Sequence, residues 1–459
     1  MLIYLLEKLP MKKFRKILIT AIVICGIWQN VCLASLQQKI QQIISRKDQK
    51  NVEYTITIID PRTGKTIYCH NPAKPLTPAS NMKIVTSFTT LKRLGTNYKF
   101  VTVAGITQNK LAVIGSGDPL LGFQGKDFVR QITQALKLKG ITQLDGIIID
   151  SSIFDSERVN ANWPRAQINR AYSCEVNGLN YNGNCIKISA SVNGGLVRLE
   201  KEPHTEFLKL LNNVKVTTGQ SAIGSNRTLQ ENEIVVFGKC KKAASFEVAI
   251  ERPNIFFGTL LYESLNRAGI TIANGITEET VVSPDFTVIT EYETPIIEVL
   301  HHCNKDSLNI AAECMLKLLA ARTSGRAGSW QGGREAVGDF LQSLGIEKTE
   351  FYIDDGSGLS SVNKISSNAI SRILLDAYKS ELWPSFKESF AIGGVDAKNN
   401  SIKINIKTES SQRPDISTAF AQCRESASLA AAIKNISSRL SQIKPTIQQK
   451  PRFQISSKR

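Results

Sequence analysis

The chain has 459 residues, 42% of them hydrophobic and 21% charged, which excludes a disordered chain and is too long for one small core. Its formal charge of +17 would suit a nucleic-acid binder. The excess is localised, however: residues 1–34 carry five Lys/Arg against one Glu, and residues 397–459 carry twelve Lys/Arg against three Asp/Glu. The body between them is nearly balanced, which argues against nucleic acid as a partner.

In chain order, Lys12, Lys13, Arg15 and Lys16 precede an apolar run at 17–27. The run is short for a bilayer span, and Cys32-Leu33-Ala34 places small residues before a cleavage point. The pattern predicts an export signal over residues 1–34, with an uncleaved anchor as the competing reading. It points to the periplasm or cell envelope, with peripheral membrane association among the expected partners. Residues 36–47 read as helix. Alternation over 52–59, a turn at Asp60-Pro61 and Thr63-Gly64, and a return strand from Thr66 predict a hairpin. Between 96 and 285, short strands at 100–106, 110–114, 146–149 and 186–192 alternate with turn residues, and helical stretches lie at 127–138 and 255–268. Helices return at 296–303, 309–322, 331–344 and 368–378. The spacing predicts an α/β domain in two parts, 35–95 and 286–396, interrupted by a mainly β insertion at 96–285.

Nine cysteines are present. Cys25 and Cys32 fall in the signal. Of the rest, Cys174 and Cys185 are the best candidate disulfide pair in an oxidising compartment. There is no C-x-x-C and there are only four His, so a zinc site is not expected.

Two short motifs carry the chemistry. Ser80-Asn81-Met82-Lys83 reads as S-x-x-K, with Ile84, Val85 and Phe88 following at helical spacing. Three residues apart on a helix, Ser80 and Lys83 share a face. Serine needs an adjacent base, and a desolvated lysine can supply one. The helix N-terminus favours a developing alkoxide, and its N–H groups can form part of an oxyanion hole. Far downstream, Ser307-Leu308-Asn309 reads as S-x-N before a second helix. Ser307 would relay a proton to the leaving amine. Asn309 would fix Lys83 and donate to a peptide carbonyl. Taken singly, each motif is better read as a capped helix start.

Taken together with further motifs, they resemble a family. Those motifs are Gly115-Ser116-Gly117-Asp118-Pro119, Leu179-Asn180-Tyr181-Asn182-Gly183-Asn184-Cys185, Asp355-Gly356-Ser357-Gly358-Leu359-Ser360 and Gly393-Gly394-Val395-Asp396. In this order, with over two hundred residues between S-x-x-K and S-x-N, the chain resembles the class C low-molecular-mass penicillin-binding proteins, the D-alanyl-D-alanine carboxypeptidases/endopeptidases. The resemblance implies a penicillin-binding/β-lactamase-like serine transpeptidase domain with a large insertion. It implies catalysis by Ser80, Lys83, Ser307 and Asn309 on peptidoglycan stem peptides, with β-lactams as inhibitors. Two other readings stand beside it: a catalytically dead remnant or cell-wall-binding protein, and a β-lactamase or esterase on the same scaffold.

The family's third signature, K-T-G, is absent in frame, which leaves the substrate-binding residues unassigned. Lys407-Thr408-Glu409 is the only approximation, and glutamate there adds bulk and negative charge where substrate backbone and a carboxylate would lie. Residues 397–459 contain none of the 30 glycines, an anomaly for a compact domain that needs positive-φ turns. Back-translating from Gln412 and reading from each third codon position can give K-T-G-Y-F-N-S-V-R. A reading frame that slips just after Asp396 is therefore expected, with an aberrant basic tail at 397–459 and impaired activity. A divergent tail is the alternative.

Overall fold

The computed structural model describes residues 36–125 and 127–391. The expected signal, Gly393-Gly394-Val395-Asp396, Lys407-Thr408-Glu409 and the tail lie outside the described residues. Two units are distinguished, with the division at Tyr54/Thr55. In the first, helix α1 covers 36–44 and a 3-10 turn covers Lys47–Gln49.

The second unit opens with the expected hairpin, β1 (Ile56–Ile59) and β2 (Thr66–His70), paired antiparallel with Thr57 opposite Cys69. The strand predicted over 52–59 is shorter than its alternation suggested, because the partner strand stops being extended at Asn71, whose φ is +46°. The Asp60 carboxylate closes the turn by accepting from Arg62 N and Thr63 Oγ1, an Asx arrangement. Helix α2 (Met82–Leu94) follows, and every residue from Met82 to Leu91 is buried. A helix buried all round must satisfy its polar groups. Thr89 and Thr90 return their hydroxyls to Val85 O and Thr86 O, while Thr86 Oγ1 reaches Gly356 O at 2.8 Å.

Strands β3 (Lys99–Thr107) and β4 (Lys110–Ile114) form a hairpin, and after helix α3 (Phe128–Leu138) come β5 (Gln143–Leu144) and β6 (Gly146–Asp150). Strands β7 (Cys185–Asn193), β8 (Leu196–Glu202), β9 (Lys209–Val216), β10 (Ala222–Arg227), β11 (Glu233–Cys240) and β12 (Ala243–Ala249) build two three-stranded sheets, ordered β12-β7-β8 and β10-β11-β9. Helix α4 (Pro253–Arg267) leads to β13 (Thr271–Ile272), β14 (Ile276–Glu278) and β15 (Thr287–Pro295). A mixed five-stranded sheet, β14-β6-β4-β3-β15, joins both ends of this region. Its core gathers Leu111, Val113, Ile147 and Ile149 with Phe128, Ile132, Phe257 and Leu261 of α3 and α4.

Helices α5 (Ile296–Asn304), α6 (Asn309–Ser324), α7 (Trp330–Ser343), α8 (Ser367–Lys379) and α9 (Trp383–Glu388) complete the unit. Every residue from Ile310 to Ala321 is buried, so α6 lies in the core beside α2. There Val85, Phe88, Leu91, Cys303, Met315, Leu318 and Trp330 form one cluster. The site is built where α2 and α6 begin.

Candidate active site

Ser80 sits in a 3-10 turn, Ala79–Asn81, that runs straight into α2. One turn on, Lys83 is 2% exposed and places Nζ 3.3 Å from Ser80 Oγ. Its other two acceptors are Asn309 Oδ1 at 2.7 Å and Ser357 O at 3.0 Å. Three acceptors match the three donors of an ammonium. Burial nevertheless pushes its pKa below the ordinary lysine range, only partly opposed by Cys303, Glu313 and Asp355. The amine is thus poised to lose its proton more readily than a surface lysine.

Ser307 donates from Oγ to Ser80 Oγ at 3.1 Å. Asn309 is the first residue of α6, behind a Leu308 N-cap that has no side-chain cap. The capped-helix reading therefore fails for this motif. Both polar side chains turn to the Ser80 hydroxyl or the Lys83 amine and leave the helix end alone. The Asn309 amide orientation follows from chemistry, since a lysine amine can only donate to its oxygen. Asn309 Nδ2 then donates to Tyr172 O at 2.7 Å, so one of its two N–H groups is already engaged. The structure brings all four expected residues together across a separation of 227 positions between Ser80 and Ser307.

Two backbone strains flank the nucleophile. Ala79 and Ser307 adopt φ of +47° and +55°, uncommon for residues with a Cβ. Gly358, at φ +82°, lies so close that a Cβ there would meet Ala79 O at 1.7 Å. The loop carrying Asp355–Ser360 thus holds the turn that carries Ser80.

A buried carboxylate pair supports that loop. Asp355 accepts from Trp163 Nε1, Gly358 N, Ser360 N and Asn363 Nδ2, all within 2.9 Å. Glu313, one turn beyond Asn309 on α6, accepts from Ser357 N, Gly356 N and Trp330 Nε1. Burial, with Asp355 beside it, pushes Glu313 up to about 7. Sequence reasoning missed Glu313 and the Tyr172 carbonyl. The signal available for Glu313 was a charge inside an apolar helix. Four residues on, Lys317 imitates an ordinary i,i+4 pair, yet it is fully buried and goes instead to Asp155 at 2.6 Å.

The remaining motifs brace backbone. Asp118 accepts from Leu120 N at 2.8 Å and Thr294 Oγ1 at 2.5 Å. Asn180 donates to Asp118 O and Asn184 donates to Asn180. Cys174 and Cys185 are buried free thiols and not the expected disulfide; the neighbouring Cys174 and burial hold the Cys185 thiol well above its usual range. Among the described residues no cluster of three or more His, Cys, Asp or Glu could hold a metal ion, and no helix is long and apolar enough to cross a membrane.

Comparison with known proteins identifies the family. The family described as the D-Ala-D-Ala carboxypeptidase 3 (S13) family matches residues 36–413. The D-alanyl-D-alanine carboxypeptidase of Actinomadura sp. (strain R39) is 25% identical over 387 residues, covering 79% of this chain and 71% of that one. The D-alanyl-D-alanine carboxypeptidase DacB of Haemophilus influenzae is 22% identical over 386 residues, covering 80% and 78%. The crystal structure of penicillin binding protein 4 (dacB) from Haemophilus influenzae aligns with a TM-score of 0.66 at 21% identity, over 80% of this chain and 82% of that one. Its complex with a β-lactam aligns at 0.61 and 21% identity, over 80% and 81%. The fold is thus the expected penicillin-binding, α/β type with an additional β-rich region.

Proposed function

Because this chain belongs to the D-Ala-D-Ala carboxypeptidase 3 (S13) family, we propose that it cleaves the terminal D-Ala from peptidoglycan stem peptides through an acyl-enzyme on Ser80. The observation that carries this reading is the contact of Lys83 Nζ and Ser307 Oγ with one serine oxygen, at 3.3 and 3.1 Å. Lys83 in its neutral form, which burial favours, accepts the Ser80 proton as Oγ attacks the carbonyl of the penultimate D-Ala. Backbone N–H groups at the start of α2 face the developing oxyanion. Ser307 passes a proton to the departing amine, and Asn309 holds Lys83 in line. Water then attacks the acyl-enzyme and frees the shortened peptide. The same steps open a D-Ala cross-link, and a β-lactam enters by acylating the same serine. No metal or organic cofactor has a step to perform.

The reaction is placed outside the cytoplasm on the strength of residues 1–34, in the periplasm or cell envelope, with peripheral membrane contact. The catalytic part comprises 35–95 and 286–396, interrupted by 96–285.

A second reading is favoured by one observation, the lack of an in-frame K-T-G after Asp396. On that reading the reading frame slips there, one wall of the cleft is lost, and the chain is a weakly active or silent remnant that only binds cell wall. Fluorescent penicillin decides between the two. Labelling that disappears in Ser80→Ala supports the enzyme, and no labelling of the native chain supports the remnant. The gene's nucleotide sequence tests the frame: codons that cannot spell Lys-Thr-Gly out of phase would remove the slip.

A further inference from the structure

We propose that Glu313 is the positioning residue for the Lys83 base: its carboxylate grips the Gly356 and Ser357 peptides so that the Ser357 carbonyl meets the Lys83 amine. Glu313 Oε1 accepts from Ser357 N at 2.8 Å, and Oε2 accepts from Gly356 N at 3.0 Å and Trp330 Nε1 at 2.8 Å. From the same residue, Ser357 O accepts from Lys83 Nζ at 3.0 Å. One residue of the loop thus joins the buried carboxylate to the buried amine.

The local sequence makes this grip possible. A Cβ on Gly356 would lie 2.6 Å from Ala312 O, so only glycine lets the loop backbone rest on α6 and present its N–H groups to Glu313. Thr86 Oγ1 holds the Gly356 carbonyl from α2 at 2.8 Å, which fixes the peptide plane from the opposite side. A charge with no exposure is costly to bury for packing alone. A glutamine of the same size would set an NH2 group against one of these N–H donors, so only the carboxylate, with two acceptor oxygens, satisfies all three. What the charge adds is orientation of two N–H dipoles and a negative field behind Lys83.

The titratable groups facing Lys83 are Cys303 from α5, Glu313 from α6 and Asp355 from the loop. Asp355 is saturated by Trp163, Gly358, Ser360 and Asn363. Cys303 is a thiol pushed up to about 12 by burial, so it stays neutral near pH 7. Glu313 is therefore the carboxylate whose removal acts on Lys83 both through the loop backbone and through the field.

This inference rests on the reading of Lys83 as base, and its test has two readouts so that the two can fail separately. The full chain and its Glu313→Gln variant are labelled at Ser80 with fluorescent penicillin from pH 5 to 10. In parallel, 13Cε-lysine NMR follows Lys83, whose resonance is identified by its loss in Lys83→Arg. Loss of the negative field lowers the Lys83 midpoint, so the acid limb of labelling and the NMR midpoint both move down by about one pH unit. The plateau rate falls about tenfold or more as the loop loosens. A folded Glu313→Gln protein with both midpoints unchanged would overturn the proposal, because a purely structural carboxylate changes melting and not a lysine titration. Should native Ser80 not react at all, the catalytic reading fails, and the NMR midpoint alone decides this one. Should Glu313→Gln fail to fold, Trp330→Phe takes its place. It withdraws one donor from the carboxylate, weakens its charge near neutrality, and is expected to move the Lys83 midpoint the same way by a smaller amount. An unchanged midpoint there is equally decisive against the idea.

Discussion

Replacing Gly358 with alanine separates two effects that usually come mixed. At φ +82° an alanine carries the cost of left-handed backbone, about 1–2 kcal/mol. Its Cβ would also lie 1.7 Å from Ala79 O and 2.4 Å from Ala79 C, far inside contact distance. Both of those atoms are backbone, so relief requires moving the loop or the turn that carries Ser80, at a further cost of about 1–3 kcal/mol. The sum is about 2–5 kcal/mol. Gly325 supplies the control, since it is left-handed at φ +67° and ψ 14° with open space within 4 Å of where a Cβ would stand; Gly325→Ala should cost only the first part. At about 2–4 °C per kcal/mol, Gly358→Ala melts roughly 4–20 °C lower than the native chain, and Gly325→Ala roughly 2–8 °C lower. Thermal unfolding followed by circular dichroism reads both. Acylation by fluorescent penicillin reads the second consequence: a shift of the Ala79 carbonyl by about 1 Å carries Ser80 with it and lowers the rate about 100-fold, while Gly325→Ala keeps it. If Gly358→Ala melts with Gly325→Ala and is acylated at the native rate, the claim that this glycine clamps the nucleophile's turn is wrong.

Other outcomes follow from the same geometry. Lys83→Ala should lower acylation about 100- to 10,000-fold, and the native rate should rise as pH increases through a Lys83 value below the ordinary lysine range, as a pH–rate profile would record. Glu313 is raised from 4.5 to about 7, so its protonated form favours the fold. That contribution is fully present below about 4.5, is lost as pH rises through about 7, and is on the order of 3 kcal/mol. Urea melts of the native chain and Glu313→Gln should therefore diverge in pH dependence across that window. Lys317→Met removes a buried ammonium from Asp155, from Glu157 O and from the face of Trp330 at 4.3 Å. It should destabilise by about 3 kcal/mol, seen as a lower urea midpoint.

What the sequence made legible was local. The i, i+3 relation of Ser80 and Lys83 needs only helical period, and the starts of the helices at 296, 309 and 331 came within one residue of Ile296, Asn309 and Trp330. Asp127, which opens the helical stretch at 127–138 in the sequence, is its N-cap, accepting from Arg130 N at 3.0 Å. What distance along the chain conceals is tertiary. The 2.7 Å contact of Lys83 with Asn309 spans 226 positions, and only family resemblance pointed to it. The Tyr172 carbonyl could not be found by pattern, because every residue has one. Glu313 and Lys317 were hidden by their own spacing, which looks like a solvent-facing ion pair until the helix around them proves to be buried.

The strands at either end of the β-rich region carry one last implication. Lys99 stands opposite Pro295 and Phe100 opposite Thr294, and Ile296 N bonds to Tyr98 O at 2.9 Å. The polypeptide departs and comes back through a single doorway, so evolution can enlarge, trim or exchange what lies beyond it without re-threading the helices on the near side. That freedom has a limit. Tyr172, Trp163 and Asp155 reach back from beyond the doorway to Asn309, Asp355 and Lys317, and any transplanted replacement would have to furnish a carbonyl, an indole and a carboxylate at those points.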